Sequence, residues 1–172
     1  RNLSGFGCRI LAYDLRRNPA VESQVTYVDF DTLLAQSDVI TLHMPLLDSN
    51  RHIINREAIA KMRDGVVIVN CSRGELADIE ALIEGIETGK IGALGMDTVE
   101  GDEGIIHADH RVDILPNRNW FYLHQFRNVI MTQHMAFYTD AAVASMVACG
   151  IGGICQMAAG EPCPTELTGP VQ

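Results

Sequence analysis

The hydrophobic positions of this chain fall into two patterns, short runs of β-branched residues and longer stretches with helical spacing. The clearest short run is 66–69, where three of the four residues are valine. Such a run is too short for a helix and is typical of a strand buried on both faces. Other strands are predicted to end at residue 14 and to occupy 25–28, 38–43, 90–97 and 128–132, with helices at 29–37, 55–62, 78–84 and 141–157. This alternation predicts an α/β fold with a doubly wound parallel sheet.

Polar residues stand at the ends of the predicted strands, namely Asp14, His43, Arg73 and Asp97. The carboxyl ends of parallel strands meet at one rim, where the loops line a ligand-binding crevice. Arg73 is therefore placed to bind an anion. The alternative is that this arginine covers a sheet edge or pairs with a helix carboxylate.

Composition narrows the possible partners. A chain of 172 residues with 47% hydrophobic content suits a single globular domain with a real core. The net charge is −9, and Arg16 and Arg17 form the one basic cluster, so we expect neither nucleic acid nor a membrane surface as partner. No apolar run or signal peptide suggests a membrane segment. The cysteine count is odd and lacks C-x-x-C spacing, which indicates a reducing, cytoplasmic setting.

Asp14 suggests a dinucleotide site. An acid at a strand end can hold both hydroxyls of an adenosine ribose, which favours NAD. The alternative is an aspartate that caps a turn, and Arg16 and Arg17 leave open a 2′-phosphate and hence NADP. The phosphate-binding G-x-G-x-x-G turn is not found, because Gly5-Phe-Gly7 precedes a strand and lacks the third glycine. If the fold is Rossmann-like, its first strand and glycine-rich turn are expected upstream of Arg1.

Three groups at the rim make a coherent catalytic set: Arg73, an acid just beyond Asp97, and His134. A histidine that exchanges a proton with substrate needs a carboxylate to fix its tautomer. An arginine can bind a substrate carboxylate in bidentate geometry. Together they suit reversible reduction of a 2-oxo acid, with a nicotinamide supplying the hydride.

Several ordered motifs carry a family resemblance. They include Leu-Ala-Tyr-Asp at 11–14, Asp-Val-Ile-Thr-Leu-His-Met-Pro at 38–45, Asn-Cys-Ser-Arg-Gly-Glu-Leu at 70–76, Met-Asp-Thr-Val-Glu-Gly at 96–101 and Gln-His-Met-Ala-Phe-Tyr at 133–138. The chain resembles the D-isomer-specific 2-hydroxyacid dehydrogenase family, and within it the D-lactate dehydrogenase branch. The resemblance implies an NAD-dependent oxidoreductase that interconverts pyruvate and D-lactate.

The resemblance also implies roles for individual residues. Arg73 would bind the substrate carboxylate, and His134 would donate the proton during reduction. Asp14 would hold the adenosine ribose. The other cofactor-binding positions would be Met44, Pro45 and Asn50 along the groove, with Cys71, Ser72, Arg73 and Asp97 towards the nicotinamide.

The same resemblance implies how the chain is organised. Residues 1–139 would be a partial NAD-binding domain, and 140–172 a helix and tail that belong to an otherwise absent substrate domain. The dinucleotide domain would carry a homodimer interface. The chain on its own is expected to be inactive, because the pyrophosphate contact needs the glycine-rich turn.

Two departures from the family pattern bear on activity. The family has glutamate where this chain has Asp102, which is shorter by about one carbon–carbon bond, roughly 1.5 Å. Either Asp102 or Glu103 could partner His134, and we favour Asp102. Gln133 stands where the family usually has glycine or proline, which affects how the backbone holds His134.

The sequence allows two other interpretations, a metal site and a function other than pyruvate reduction. The histidines and acids of 107–113 resemble a metal cluster, but they lie in an irregular polar stretch, so no metal site is expected. The alternative function is a non-catalytic NAD(H)-binding or dimerisation module of the same fold, as in co-repressor proteins. A dehydrogenase for a larger 2-hydroxy acid also stays open.

Overall fold

The computed structural model describes residues 3–102, 105–106 and 117–163. The strands among these residues are β1 (Leu11–Ala12), β2 (Thr26–Tyr27), β3 (Val39–Leu42), β4 (Val66–Asn70), β5 (Ile91–Met96) and β6 (Val129–Met131). The α-helices are α1 (Phe30–Gln36), α2 (Arg56–Lys61), α3 (Ile79–Glu87), α4 (Arg118–Leu123) and α5 (Asp140–Ala158). Short 3₁₀ helices add turns at Leu3–Phe6, Pro19–Val21, Asp48–Asn50 and Gly74–Leu76.

The strands form two parallel sheets. The first pairs β1 with β2, and the second has the order β3-β4-β5-β6. Parallel strands joined through helices confirm the predicted α/β class.

The core is built on β4 and on the two strands that pair with it. Ile68 pairs with Ile40 of β3 and Leu94 of β5, and all three side chains are buried. Helix α3 adds Leu82 and Ile86 to the same cluster. Burying each such side chain contributes about 1.5–3 kcal/mol to stability. These contacts therefore stabilise the strands whose carboxyl ends carry the rim loops.

Helix α3 follows from its sequence. Asp78 caps it, because its side chain accepts hydrogen bonds from the backbone N–H groups of Glu80 and Ala81. Ile79, Leu82 and Ile86 recur at helical spacing and are buried.

Two elements differ from expectation. No helix is predicted from the sequence between residues 97 and 128, but this stretch contains α4. The helix begins after Asn117, whose side chain accepts the backbone N–H of Trp120. Helix α5 has 19 residues, and it is the one helix of the described residues long and apolar enough to cross a membrane. The expectation that no apolar run reaches that length was therefore wrong. A single helix of this kind is weak support for a membrane span.

The chain divides into two compact units, Arg1–His134 and Met135–Gln172. The first contains both sheets and helices α1 to α4, and the second contains α5. The predicted boundary between 139 and 140 falls inside the second unit. The assignment of α5 to a substrate domain stays a prediction.

A buried threonine next to the rim gives a first stability prediction. Thr98 is buried, and its hydroxyl has no hydrogen-bond partner among the residues that the structure describes. Valine has the same shape without the unpaired hydroxyl, so Thr98→Val should raise the free energy of unfolding by about 1 kcal/mol. Urea denaturation measures this change. Thr88→Val is the control, because the Thr88 hydroxyl donates to the Glu84 carbonyl; a less stable Thr98→Val protein would contradict the prediction.

Candidate active site

The loop that follows β4 is held in place by the side-chain amide of a buried residue, Asn70. Asn70 is fully buried, and its side-chain amide donates to the Arg73 carbonyl at 2.8 Å. Its side-chain oxygen accepts the backbone N–H of Ser72 at 3.0 Å. The Ser72 hydroxyl donates to the Leu42 carbonyl at 2.8 Å, which ties the loop to the end of β3. The backbone under Arg73 is therefore fixed by two side chains that precede it.

Arg73 itself is exposed at this rim. Its Nη1 donates to the carbonyl of Ser72 at 2.8 Å. The next residue, Gly74, packs so closely on another loop that a Cβ atom would lie 2.2 Å from the backbone carbon of Val99. Only glycine allows this approach, which brings the Arg73 loop against the segment that leads to Asp102.

Asp102 lies at the last position of a tight turn, residues 99–102. Its backbone N–H donates to the Val99 carbonyl at 3.1 Å, and Gly101 has φ +76° at the third position, as a type II turn requires. The Asp102 carboxylate turns back and accepts the Val99 N–H at 3.1 Å. The side chain is 15% exposed, so the turn presents a largely buried carboxylate.

His134 is placed by strand pairing that continues beyond β6. The Thr132 N–H donates to the Met96 carbonyl, and the His134 N–H donates to the Asp97 carbonyl, both at 2.9 Å. His134 has φ +53°, a left-handed conformation that few non-glycine residues adopt and that clusters at functional sites. Its Nδ1 lies 3.9 Å from Oδ2 of Asp102.

The structure thus brings two of the three predicted catalytic side chains together. His134 and Asp102 are within ion-pair distance but beyond a direct hydrogen bond. The Arg73 loop contacts the Asp102 turn through Gly74. Glu103, the alternative acid, and the residues 107–113 lie outside the described residues. In the part of the chain that is described, no cluster of metal-ligating side chains is found.

The predicted cofactor positions near β1 and β3 make specific contacts with neighbouring residues. Asp14 is exposed just beyond β1, and one carboxylate oxygen accepts the Arg16 N–H at 2.9 Å. Arg17 lies over the ring of Tyr27, 5.6 Å from its centroid. Asn50 closes the next loop, because its amide donates to the Pro45 carbonyl at 2.8 Å. Met44 is partly buried against the core.

The two remaining predicted cofactor positions lie at the ends of β4 and β5. Cys71 is exposed, and partial desolvation together with the Asp97 carboxylate raises the pKa of its thiol. Asp97 is buried, and its carboxylate accepts the hydroxyl of Thr132. The thiol is therefore mainly protonated at neutral pH.

The sequence did not identify three residues that support the site through hydrogen bonds. Asn70 and Thr132 act through buried hydrogen bonds, and Asn117 donates to the carbonyls of both Glu100 and Gly101 at 3.1 Å. Asn70 had a signal, since it is a polar residue at the end of a strand buried on both faces. Asn117 and Thr132 had none, because their partners are distant in sequence.

Comparison with known proteins assigns this fold and site to a family. The parallel sheet and its polar rim are typical of an α/β dinucleotide-binding domain. Residues 1–136 match the family described as D-isomer specific 2-hydroxyacid dehydrogenase, NAD binding domain. The chain therefore belongs to this family of NAD-dependent oxidoreductases, as the sequence motifs predicted, and the NAD prediction is confirmed at that level.

The relatives agree on the family and differ in substrate. The chain is 43% identical over 166 residues to the D-lactate dehydrogenase of Lactobacillus delbrueckii subsp. bulgaricus, covering 96% of this chain and 50% of that protein. It is 43% identical over 145 residues to an aromatic 2-oxoacid reductase of Clostridium sporogenes, covering 84% and 44%. The crystal structure of D-lactate dehydrogenase with NAD⁺ from Lactobacillus jensenii superposes with TM-score 0.90 at 35% identity, covering 98% of this chain and 51% of that chain. The chain spans about half the length of the curated relatives it matches.

Proposed function

We propose that the full-length protein interconverts a 2-oxo acid and a D-2-hydroxy acid by NAD-dependent hydride transfer, with pyruvate and D-lactate as the preferred pair. The observation that carries the proposal is the 3.9 Å approach of Asp102 to His134 at the rim that also bears Arg73. An acid, an imidazole and a guanidinium at the carboxyl ends of neighbouring parallel strands form a set suited to 2-oxo acids.

Each of the three side chains has a distinct task in this proposal. Arg73 binds the substrate carboxylate and orients the adjacent carbonyl, because its planar group can make two parallel hydrogen bonds. His134 gives a proton to the carbonyl oxygen during reduction and takes it back during oxidation. Asp102 orients the imidazole and stabilises its charged form.

The residues present also fit the cofactor. Asp14 has a carboxylate exposed beyond β1, where it would accept hydrogen bonds from the ribose hydroxyls. Met44, Pro45 and Asn50 would line the groove, and Cys71, Ser72, Arg73 and Asp97 would lie towards the nicotinamide. NAD supplies or accepts the hydride when bound. The cation–π contact of Arg17 with Tyr27 gives that arginine a partner other than a 2′-phosphate, which favours NAD over NADP.

The substrate side chain is tested by a panel of 2-oxo acids. Identity does not separate the candidates, because the D-lactate dehydrogenase and the aromatic 2-oxoacid reductase are both 43% identical to this chain. NADH oxidation by the full-length protein should be fastest with pyruvate. A higher kcat/KM for phenylpyruvate would assign the protein to larger 2-oxo acids instead.

One observation favours a second function, a non-catalytic NAD(H)-binding or dimerisation module. The distance between Asp102 and His134 exceeds a hydrogen bond, so the imidazole is less well oriented than a direct contact would make it. Binding of NADH without turnover of any acid in the panel would support this alternative.

Assembly and location are part of the same proposal. We expect the full-length protein to be a cytoplasmic homodimer joined through the dinucleotide domain, with residues 140–172 belonging to the substrate domain. Sedimentation analysis of the full-length protein tests the dimer. The chain of 172 residues alone should be inactive, and measurable turnover by it would contradict this expectation.

The shorter acid gives a prediction of increased activity. Glutamate at position 102 extends the side chain by roughly 1.5 Å, which is enough to bring its oxygen from 3.9 Å to hydrogen-bond distance of Nδ1. We therefore expect Asp102→Glu to raise kcat for 2-oxo acid reduction by about threefold to tenfold. Asp102→Asn, which keeps the length and removes the charge, should lower it. A decrease in both variants would contradict the proposed role of chain length.

A further inference from the structure

A pair of side chains outside the proposed catalytic set holds the turn that carries Asp102. Nε2 of His52 donates to Oε1 of Glu100 at 2.8 Å, and Glu100 is the second residue of that turn. Both side chains are partly buried, 37% and 28% exposed. Arg51 adds a weaker contact, with Nη1 3.9 Å from the same oxygen.

His52 is itself fixed in an unusual conformation. Its φ is +52°, and it is one of two non-glycine residues with positive φ among the residues described, the other being His134. Its backbone N–H donates to the Glu75 carbonyl at 2.8 Å, which anchors it to the segment that follows Arg73. A strained backbone conformation of this kind persists only where the surrounding structure fixes it, and such conformations are frequent near functional sites.

Among the residues described, His52 makes the shortest side-chain contact to the Glu100 carboxylate, and Arg51 lies at the 3.9 Å limit of an ion pair. Asn117 contacts the turn through its carbonyls, and Gly74 packs against its backbone at Val99. The His52–Glu100 contact therefore fixes the turn from the side of the loop after β3. Asp102 lies two residues further on, with 3.9 Å separating it from His134.

We propose that His52 is a positioning residue, which acts through Glu100 to set the distance between Asp102 and His134. The proposal rests on the proposed dehydrogenase function, since positioning matters only if this acid and histidine act on substrate. At 3.9 Å the acid is at the limit of an effective contact, so a shift of the turn changes how well the imidazole is oriented. A displacement of about 1 Å at a catalytic group can cost about 100-fold in rate.

Two substitutions remove or weaken the contact and spare the backbone. His52→Asn is suited because asparagine tolerates positive φ, while its shorter side chain does not reach Glu100. Glu100→Gln keeps the size and removes the charge. Glu84→Gln is the matched control, because Glu84 accepts a 2.7 Å hydrogen bond from Arg56 on the surface, away from the rim.

The first measurement is steady-state reduction of the best 2-oxo acid by the full-length protein. Each of the two single variants should lower kcat about tenfold and leave the KM for NADH unchanged, since a displaced acid affects the chemical step. The double variant should be no slower than the slower single variant, because both act through one contact. A kcat within twofold of wild type in both singles, or an equal loss in Glu84→Gln, would overturn the proposal.

The second measurement does not depend on turnover. Hydrogen exchange of the Asp102 amide, which is bonded to the Val99 carbonyl, should be about tenfold faster in both singles and unchanged in Glu84→Gln. Unchanged exchange at Asp102 would overturn the proposal. If wild type reduces no 2-oxo acid, the dehydrogenase function fails, and the exchange rates still decide whether His52 holds this turn.

Discussion

His134→Asn is expected to lower kcat for 2-oxo acid reduction by about 10²- to 10⁴-fold, the range that general acid–base catalysis contributes. Asparagine is the informative choice, because it accepts the φ of +53° found at this position and so preserves the backbone bonded to Asp97. It cannot exchange a proton at neutral pH. NADH oxidation and the reverse reaction should fall together, since the same group serves both directions.

The control for this prediction is His124→Asn, the same substitution at the exposed residue that ends α4. The His124 ring lies next to that of Trp120, with centroids 5.6 Å apart, and His124 is not among the residues proposed to bind substrate or cofactor. Its variant should keep wild-type turnover. Activity of His134→Asn within a few fold of His124→Asn would show that another group, or none, supplies the proton.

How much of this site could be read from the sequence depends on the range of the interactions. The strand β4 and the placement of Arg73 follow from a local pattern, a β-branched run that stops at polar residues. His134 was assigned by resemblance, through a motif that lies next to it in the chain. In the structure each residue lies shortly beyond a strand, Arg73 after β4 and His134 after β6.

The geometry of the site could not be read in the same way. The 3.9 Å between Asp102 and His134 depends on the turn at 99–102, for which Gly101 is a local signal, and on a positive φ at His134, which no glycine at that position signals. The supports act over long sequence separations, as with Asn117 and Glu100, or Gly74 and Val99. Hydrophobic periodicity does not predict such pairs.

Helix α4 was missed for a related reason. Its aromatic residues Trp120, Phe121 and Tyr122 have high strand propensity, and its six residues are too few to show a clear period. The helix forms because Asn117 caps it and because Leu123 and Trp120 pack on the core. Tertiary packing therefore decided this element, as it often does for short helices.

The Arg73 variants should separate substrate binding from cofactor binding. Arg73→Lys keeps the charge but loses the bidentate geometry, so kcat/KM for the 2-oxo acid should fall about 10- to 100-fold. Arg73→Gln also loses the charge and should fall roughly 10³-fold. The loss should be mainly an increase in KM for the acid, because the substrate carboxylate is bound in the ground state as well.

The control is Arg63→Lys, which alters an exposed arginine paired with Asp38 at 2.7 Å, at the amino ends of β3 and β4. The sharper measurement uses the methyl ester of the same 2-oxo acid, which lacks the carboxylate. Wild type and Arg63→Lys should prefer the acid over its ester strongly, whereas Arg73→Gln should treat the two nearly alike, because the group that distinguishes them is gone. Retention of the full preference in Arg73→Gln would mean that a different cation binds the carboxylate, and the anion site at the end of β4 would then be wrong.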